Sequence, residues 1–349
     1  MRVLLTGSAG FIGSAIAGQL RDLGAEVVGV DLMLPQAHGS STAPEGTEVL
    51  DVRDARAWSR VFRGVDLVCH QAAMVGAGVR VADLPDYAAH NDLGTAALLA
   101  SMHAHGVRRM VLASSMVVYG EGRYRCAEHG DRQPGPRALT DLEAGRFENR
   151  CTDCGRELDW ALVDEDARLD PRSGYAASKL AQEHYASAWA RQAGGEVVAL
   201  RYHNVYGPGM PRNTPYAGVA AMFRSSLERG ENPRVFEDGG QVRDFVHVED
   251  VARANLRAIE TLVGSEPVGT LRAFNVCSGR PITIGEVAGL VSTGSARGDL
   301  GPVVTGEYRA GDVRHVVASP ERAAAELGFV ASVAPEEGLV AFATAPLRA

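Results

Sequence analysis

The chain has 349 residues, 46% of them hydrophobic, and a formal net charge of -8 at neutral pH. That length and apolar content can bury a large core, while an acidic balance with scattered rather than striped Lys and Arg excludes a nucleic-acid binder. No apolar stretch approaches the roughly 20 residues that span a bilayer, and the chain starts on a structural strand that leaves no room for a signal peptide. A cytoplasmic enzyme without membrane contact is therefore expected.

Met1 to Thr6 reads as a buried strand and runs directly into the glycine loop Gly7 to Gly13. A helix follows, with Ile12, Ile16, Leu20 and Leu23 at helical spacing and Gly24 at its end, and then a strand from Glu26 to Asp31 completes a βαβ unit. Further strands are predicted at Val65 to His70, Val107 to Ala113 and Glu196 to Arg201, separated by helices at Leu93 to His103 and Ala176 to Gln192. Strands alternating with helices predict an α/β fold with a doubly wound parallel sheet. After about Tyr206 the chain becomes richer in Pro and Gly. We therefore read residues 1–205 as a dinucleotide-binding domain and 206–349 as mainly a smaller substrate-binding lobe.

In the glycine loop, Gly7 permits the tight turn, Gly10 lets the backbone approach a pyrophosphate, and Gly13 lets helix and sheet pack closely. The free amides of Phe11, Ile12 and Gly13 would face the anion. Asp31 lies where a carboxylate takes ribose hydroxyls. It would repel a 2′-phosphate, and Leu32 and Met33 offer no cation to hold one, so NAD is expected over NADP.

Tyr175 and Lys179 lie four residues apart, which on a helix places both on one face. A free phenol has a pKa of about 10; a nearby ammonium and an oxidised nicotinamide would lower it and make Tyr175 a general base. Ser115, at the end of the strand that carries Ala113, could donate to the reacting oxygen.

With these residues in place the chain resembles the extended short-chain dehydrogenase/reductase family, in its NAD-dependent nucleotide-sugar epimerase and dehydratase branch. The resemblance covers nearly the whole chain. It implies that Asp51 and Val52 hold the adenine, that Gln71, Ala72 and Ala73 after His70 line the cofactor, and that Asn91, Ser115, Tyr175 and Lys179 form the catalytic tetrad. It also implies that Asn204, Arg243 and Arg309 hold the diphosphate of a nucleotide-sugar and that Asp312 positions the nucleoside. A dianionic diphosphate does call for converging guanidinium forks. Arg314, outside these motifs, reads as a surface ion pair. His203 and His247 read as hydrogen-bonded core residues, and Cys69 and Cys277 as buried thiols.

The family's 4,6-dehydratases carry an Asp-Glu pair after the catalytic hydroxyl, where this chain has Met116 and Val117. Dehydration is therefore not expected, and the resemblance implies 4-epimerisation by transient oxidation of the sugar. A net nucleotide-sugar dehydrogenase or ketoreductase is the alternative, and a non-catalytic dinucleotide binder the third reading. Asp31 to Gly39, Met74 to Gly78 and Tyr119 to Cys126 resemble the dTDP-L-rhamnose 4-epimerase subgroup. The family usually dimerises through the helix after Asn91 and the one bearing Tyr175, and Leu93, Ala97, Leu98 and Met102 offer an apolar stripe there.

Ser115 and Tyr175 are farther apart in sequence than in short epimerases of the family, which marks an insertion at about 122–168. It contains Cys126, His129, Cys151 and Cys154, two ligand pairs each separated by two residues and followed by glycine. That pattern fits a zinc knuckle or ribbon with a closed, structural site, and metal binding would supply folding free energy to an otherwise polar segment. A flexible metal-free loop is the competing reading; because the insertion follows Ser115 directly, it is also expected to overhang the substrate pocket as a lid or specificity element.

Overall fold

In the computed structural model, which describes residues 1–39, 42–76, 78, 80–212 and 218–348, the apolar runs become strands of one sheet. The first third of the chain gives β1 (Arg2–Thr6), β2 (Glu26–Asp31), β3 (Thr47–Val49), β4 (Leu67–His70) and β5 (Arg109–Ser115). The insertion supplies β6 (Arg123–Cys126), β7 (Gly130–Arg132) and β8 (Asp159–Ala161). β9 (Glu196–Tyr202), β10 (Asn204–Tyr206), β11 (Arg234–Val235), β12 (Val242–His247), β13 (Thr270–Val276), β14 (Pro281–Thr283) and β15 (Val303–Val304) follow.

The main sheet has seven strands in the order β13-β9-β5-β4-β1-β2-β3, and each neighbouring pair is parallel. A parallel sheet must be covered on both faces. Along β1, Val3 and Leu5 point to one core with Ile16, Leu20, Val251 and Ile259, while Leu4 points to the other with Leu98, Met102, Ala186 and Trp189. Thus helices Phe11–Asp22 and Val248–Val263 cover one face, and Gly94–Ala104 and Gly174–Ala193 the other. β13 and the helix before it come from beyond residue 206, so the chain returns to finish the sheet it began.

Strand order reverses beside β1: β2 and β3 extend one way, β4 and β5 the other. The crevice above such a reversal is where open α/β sheets bind ligands. A second, smaller sheet, β10-β12-β14, carries its own core around Tyr206, Phe223, Phe245 and Phe342. Of the stripe Leu93, Ala97, Leu98 and Met102, the last three are buried within the monomer, and only Leu93 is exposed, at 56%. No helix among the described residues is long and apolar enough to cross a membrane.

The insertion folds as the three-stranded antiparallel sheet β7-β6-β8 around a small core of Tyr124, Cys126, Cys151 and Leu158, with Cys154 packed against it. The lid expectation is not met. Among the described residues, none from 122–168 lines the large cavity of the protein; Val163 pairs instead with Ala318, and both are buried.

Candidate active site

β1 ends at Thr6 and turns through Gly7, whose φ is 69°. A Cβ on Gly7 would come 2.7 Å from the Ala72 amide nitrogen, and one on Gly13 would come 2.0 Å from the Gly7 carbonyl oxygen, so the loop closes only with glycine at both places. The following helix has Gly10 at its N-cap and no side-chain cap. Its first turn, Phe11, Ile12 and Gly13, lines a cavity of ≈ 850 Å³. Uncapped amides at a helix start, with the dipole behind them, fit a pyrophosphate.

Asp31 lines the same cavity. Its carboxylate accepts hydrogen bonds from the amides of Ala9 (3.1 Å) and Met33 (2.9 Å), and His38 Nε2 lies 3.2 Å away. Burial raises the Asp31 pKa, but the His38 and backbone hydrogen bonds outweigh it and hold the carboxyl below its usual range. An ionised acceptor suits ribose hydroxyls and rejects a 2′-phosphate. Sequence reasoning missed His38, and also Arg348, which reaches this cavity from the far end of the chain. Asp51 accepts from the Arg53 amide at 2.9 Å and caps the turn beginning at Val52; both line the cavity. Gln71, Ala72 and Ala73 line it as well. Gln71 is held by Tyr202, whose hydroxyl donates to its side-chain oxygen at 2.9 Å, and by Asn255, which accepts from its amide nitrogen at 3.1 Å.

The helix that bears Tyr175 and Lys179 begins where Ser173 accepts from the Ala176 amide at 3.2 Å. Tyr175 and Lys179 therefore sit on its first two turns, sharing a face, with the ammonium 6.0 Å from the centre of the Tyr175 ring. Lys179 is 3% exposed and donates to the Ala113 carbonyl at 3.0 Å. Ser115, the last residue of β5, faces the same cavity as Tyr175 and lowers the pKa of its phenol. Burial pushes that phenol well above its ordinary pKa and outweighs the effect of Ser115. Burial also pushes Lys179 down to about 7, against the pull of Glu183. The expectation that the ammonium lowers the phenol's pKa is thus not met within the protein alone, because desolvation governs both groups.

Asn91 lies on a π-helical turn, Ala88–Leu93, that precedes the predicted helix. Such turns mark functional sites in many helices. Its side chain is fully buried, and its hydrogen bonds go to Met74 and Ser178 rather than to the phenol or the ammonium. Oδ1 accepts from the Met74 amide (2.7 Å), while Nδ2 donates to the Met74 carbonyl (3.0 Å) and to Ser178 (2.8 Å). Asn91 therefore positions the loop after β4 against the helix that bears Tyr175. Within the Met74 to Gly78 stretch, Ala77 lies outside the described residues.

Asn204 and Arg309 reach the cavity, but Arg243 and Asp312 do not line it. The Arg243 guanidinium donates to the carbonyls of Val242 (2.9 Å), Arg314 (2.7 Å) and Val313 (2.7 Å), holding the segment that follows Arg309. Arg309 stacks 5.1 Å over Phe236. Burial raises the Asp312 carboxyl above its usual range. Arg314 corrects the surface reading: it is 1% exposed and its guanidinium meets Glu148, Glu237 and Asp238. The signal was absent because all three partners are remote in sequence. His247 caps the helix that follows it, accepting from the Glu249 amide at 3.3 Å. Cys69 and Cys277 are buried, as read.

The four insertion ligands converge. Cys126 Sγ lies 3.7 Å from Cys154 Sγ and 3.4 Å from His129 Nδ1, and Cys151 Sγ lies 3.6 Å from the same nitrogen; all four ligand atoms fall within 4.8 Å of one another. A tetrahedral zinc with Zn–S of about 2.3 Å and Zn–N of about 2.0 Å has edges of about 3.8 and about 3.5 Å, so the donor set fits that ion. The sulfurs are too far apart for a disulfide.

The sequence matches the NAD-dependent epimerase/dehydratase family over residues 3–138 and 158–277, leaving out the stretch with Cys151 and Cys154. It is 33% identical to the dTDP-L-rhamnose 4-epimerase of Burkholderia thailandensis, over 97% of this chain and 93% of that one. It is 29% identical to the UDP-glucose 4-epimerase of Mycolicibacterium smegmatis, over 97% and 96%. The fold matches the UDP-glucose 4-epimerase of Thermotoga maritima, solved with UDP-glucose, at a TM-score of 0.77, with 29% identity and 98% and 97% coverage. It matches the UDP-glucose 4-epimerase of Thermus thermophilus, solved with NAD, at 0.72, with 30% identity and 98% coverage of each. The chain belongs to the NAD-dependent epimerase/dehydratase family, as a sugar-nucleotide epimerase of the extended short-chain dehydrogenase/reductase type.

Proposed function

We propose that this enzyme inverts carbon 4 of a dTDP-linked 6-deoxyhexose by transient oxidation, retaining NAD through the cycle. The reading rests on one observation: Ser115, Tyr175 and Lys179 share a cavity with the glycine loop and Asp31. Tyr175 takes the proton of the C4 hydroxyl and returns one once the keto-sugar has turned its other face, while Ser115 hydrogen-bonds the reacting oxygen. Lys179 is anchored beside the phenol by the Ala113 carbonyl; in its protonated form, together with oxidised NAD, it would favour the phenolate that Tyr175 needs to act as base. Bound NAD supplies the hydride acceptor and then the donor, so no redox equivalent is lost.

Met116 and Val117 support the choice of substrate class. Both line the cavity next to Ser115, where they offer no acid or base for elimination, and an apolar wall suits a C6 methyl better than a hydroxymethyl. The Burkholderia relative's name points the same way. Asn204 and Arg309 are the diphosphate ligands in this reading, with Arg243 holding the segment that follows Arg309 by its carbonyls. Cys126, His129, Cys151 and Cys154 hold a structural zinc, and two copies pair through the exposed side of the helices bearing Leu93 and Tyr185, which are 56% and 47% exposed.

The test is turnover of dTDP-L-rhamnose against UDP-glucose, followed by NMR of the C4 proton together with absorbance at the NADH band. Inversion of the dTDP-sugar with no NADH build-up is expected. Stoichiometric NADH accumulation would make the enzyme a dehydrogenase, and faster inversion of UDP-glucose would overturn the substrate class. Zinc content of the purified protein, expected at one per chain and lost in Cys151→Ser, tests the metal; light scattering tests the dimer.

A further inference from the structure

The insertion is remote from the cavity, yet it is wired to the segment that binds the substrate's diphosphate. Tyr124 lies two residues before the ligand Cys126, and Glu148 and Asn149 lie just before the ligand Cys151. The Tyr124 phenol accepts from the His315 amide at 2.9 Å and donates to Glu121 at 3.2 Å. Glu121 also accepts from the Arg314 amide at 3.0 Å and from Asn149 at 3.0 Å. Glu148 binds the Arg314 guanidinium through Nε at 2.9 Å and His315 Nε2 at 2.8 Å. Arg137, between the two ligand pairs, donates to Glu237 at 2.7 Å and to the Asp312 carbonyl at 2.8 Å.

We infer that the metal-tied insertion is a clasp that holds residues 309–316 in their diphosphate-binding shape, so that nucleotide-sugar affinity depends on a metal remote from the reacting atoms. This rests on the zinc reading above. The ion joins the Cys126 strand to the Cys151 turn, and those two segments bear the groups that fix Arg314 and His315. Arg243 binds the carbonyls of Val313 and Arg314 from the opposite side, so the strap is gripped by the insertion on one flank and by β12 on the other. With the first grip released, Arg309 has no fixed base from which to reach the cavity. Among the described residues no hydrogen bond or ion pair joins the cofactor end, built from β1, β2 and β4, to the clasp, so that end should not respond. Tyr124, Glu148 and Asn149 are thus positioning residues.

The experiment compares wild type, Cys151→Ser and Tyr124→Phe in the full-length protein, measuring zinc content, NAD binding by fluorescence, dTDP and UDP binding by calorimetry, and KM against kcat. Tyr124→Phe keeps the ring among the metal ligands and removes only the phenol. It should retain one zinc and wild-type NAD affinity while weakening both nucleoside diphosphates by about tenfold, with KM raised and kcat little changed, as expected when buried polar partners are left unmatched. Cys151→Ser should lose zinc and show the same selective loss. Diphosphate affinity within twofold of wild type in both variants overturns the coupling, and so does an equal loss of NAD and diphosphate binding, which would mean general unfolding. Wild-type protein that holds no metal overturns the zinc reading separately, and with it the metal dependence.

Discussion

Arg201 and Glu183 form a two-pronged ion pair, Nε to Oε1 at 3.0 Å and Nη2 to Oε2 at 2.8 Å, with each side chain only 5% exposed. Glu183 lies one turn beyond Lys179 on the catalytic helix, and Arg201 is on β9. Glu183 also accepts from Ser114, next to the catalytic serine on β5, and Arg201 donates to Tyr119 at 2.9 Å. The pair therefore fixes the catalytic helix against the two strands that deliver Ser115. Removing one partner of a buried pair leaves an uncompensated charge and costs about 3–5 kcal/mol. Glu183→Leu should lower unfolding stability by that order in a denaturant titration, whereas Glu183→Leu with Arg201→Leu should recover part of it. A single-variant loss below about 1 kcal/mol would show that the pair is not needed.

Tyr175→Phe should remove about a thousandfold or more of turnover, because a positioned acid–base group contributes roughly 10²- to 10⁴-fold and this reaction uses it in both halves. NAD affinity should change little, since the phenol is not part of the glycine loop or the Asp31 network. Ser115→Ala should cost less, on the order of a hundredfold, for loss of one hydrogen bond to the reacting oxygen. Single-turnover assays on both variants check this, and retained wild-type turnover in Tyr175→Phe would remove it from the mechanism.

Asp31 should set the choice of cofactor. Asp31→Asn keeps the shape but removes the charge that His38 and two amides stabilise, and it replaces one of the two accepting oxygens with a donor. NAD binding should weaken about tenfold through loss of charge-assisted bonds, and the penalty on NADP should shrink by a similar factor. With His38 and Arg348 already nearby, the variant is read out directly as the ratio of NAD to NADP dissociation constants. An unchanged ratio would place the discrimination elsewhere.

What could be read from the sequence was local. Gly7, Gly13 and Asp31 announce themselves by spacing within one βαβ unit, and Tyr175 and Lys179 by one helical turn. Five of the seven strands were legible as apolar runs long enough to be buried on both faces; β3, a three-residue half-exposed edge, and β13, which returns from beyond residue 206, were not. The parts that were missed depend on partners far along the chain. Arg314 read as a surface residue because Glu121, which accepts from its amide, lies 193 positions away. Asn91 was assigned to the tetrad, yet only the fold shows that it acts on Met74 and Ser178 from a π-helical turn. The insertion's ligands were visible as pairs, but its bearing on residues 312–318 rather than over the cavity was not, since nothing in its polar composition records which flank it packs against.

Lys179 should make stability depend on pH in a way that its replacement abolishes. Burial depresses its pKa from 10.5 to about 7, so between those values the unfolded chain binds a proton that the folded chain does not. Stability linked to this group is therefore fully present above about pH 10.5 and is lost as pH falls through about 7, with a slope of up to about 1.4 kcal/mol per pH unit in that window. Glu183, whose pull on the ammonium opposes burial, softens the slope without reversing it. Lys179→Met keeps the aliphatic stem and cannot titrate. Urea midpoints taken from pH 7 to pH 10 on both proteins should show wild type gaining on the variant as pH rises. Parallel curves would mean that the ammonium remains charged in the folded cofactor-free protein and that Tyr175 already has its cationic neighbour.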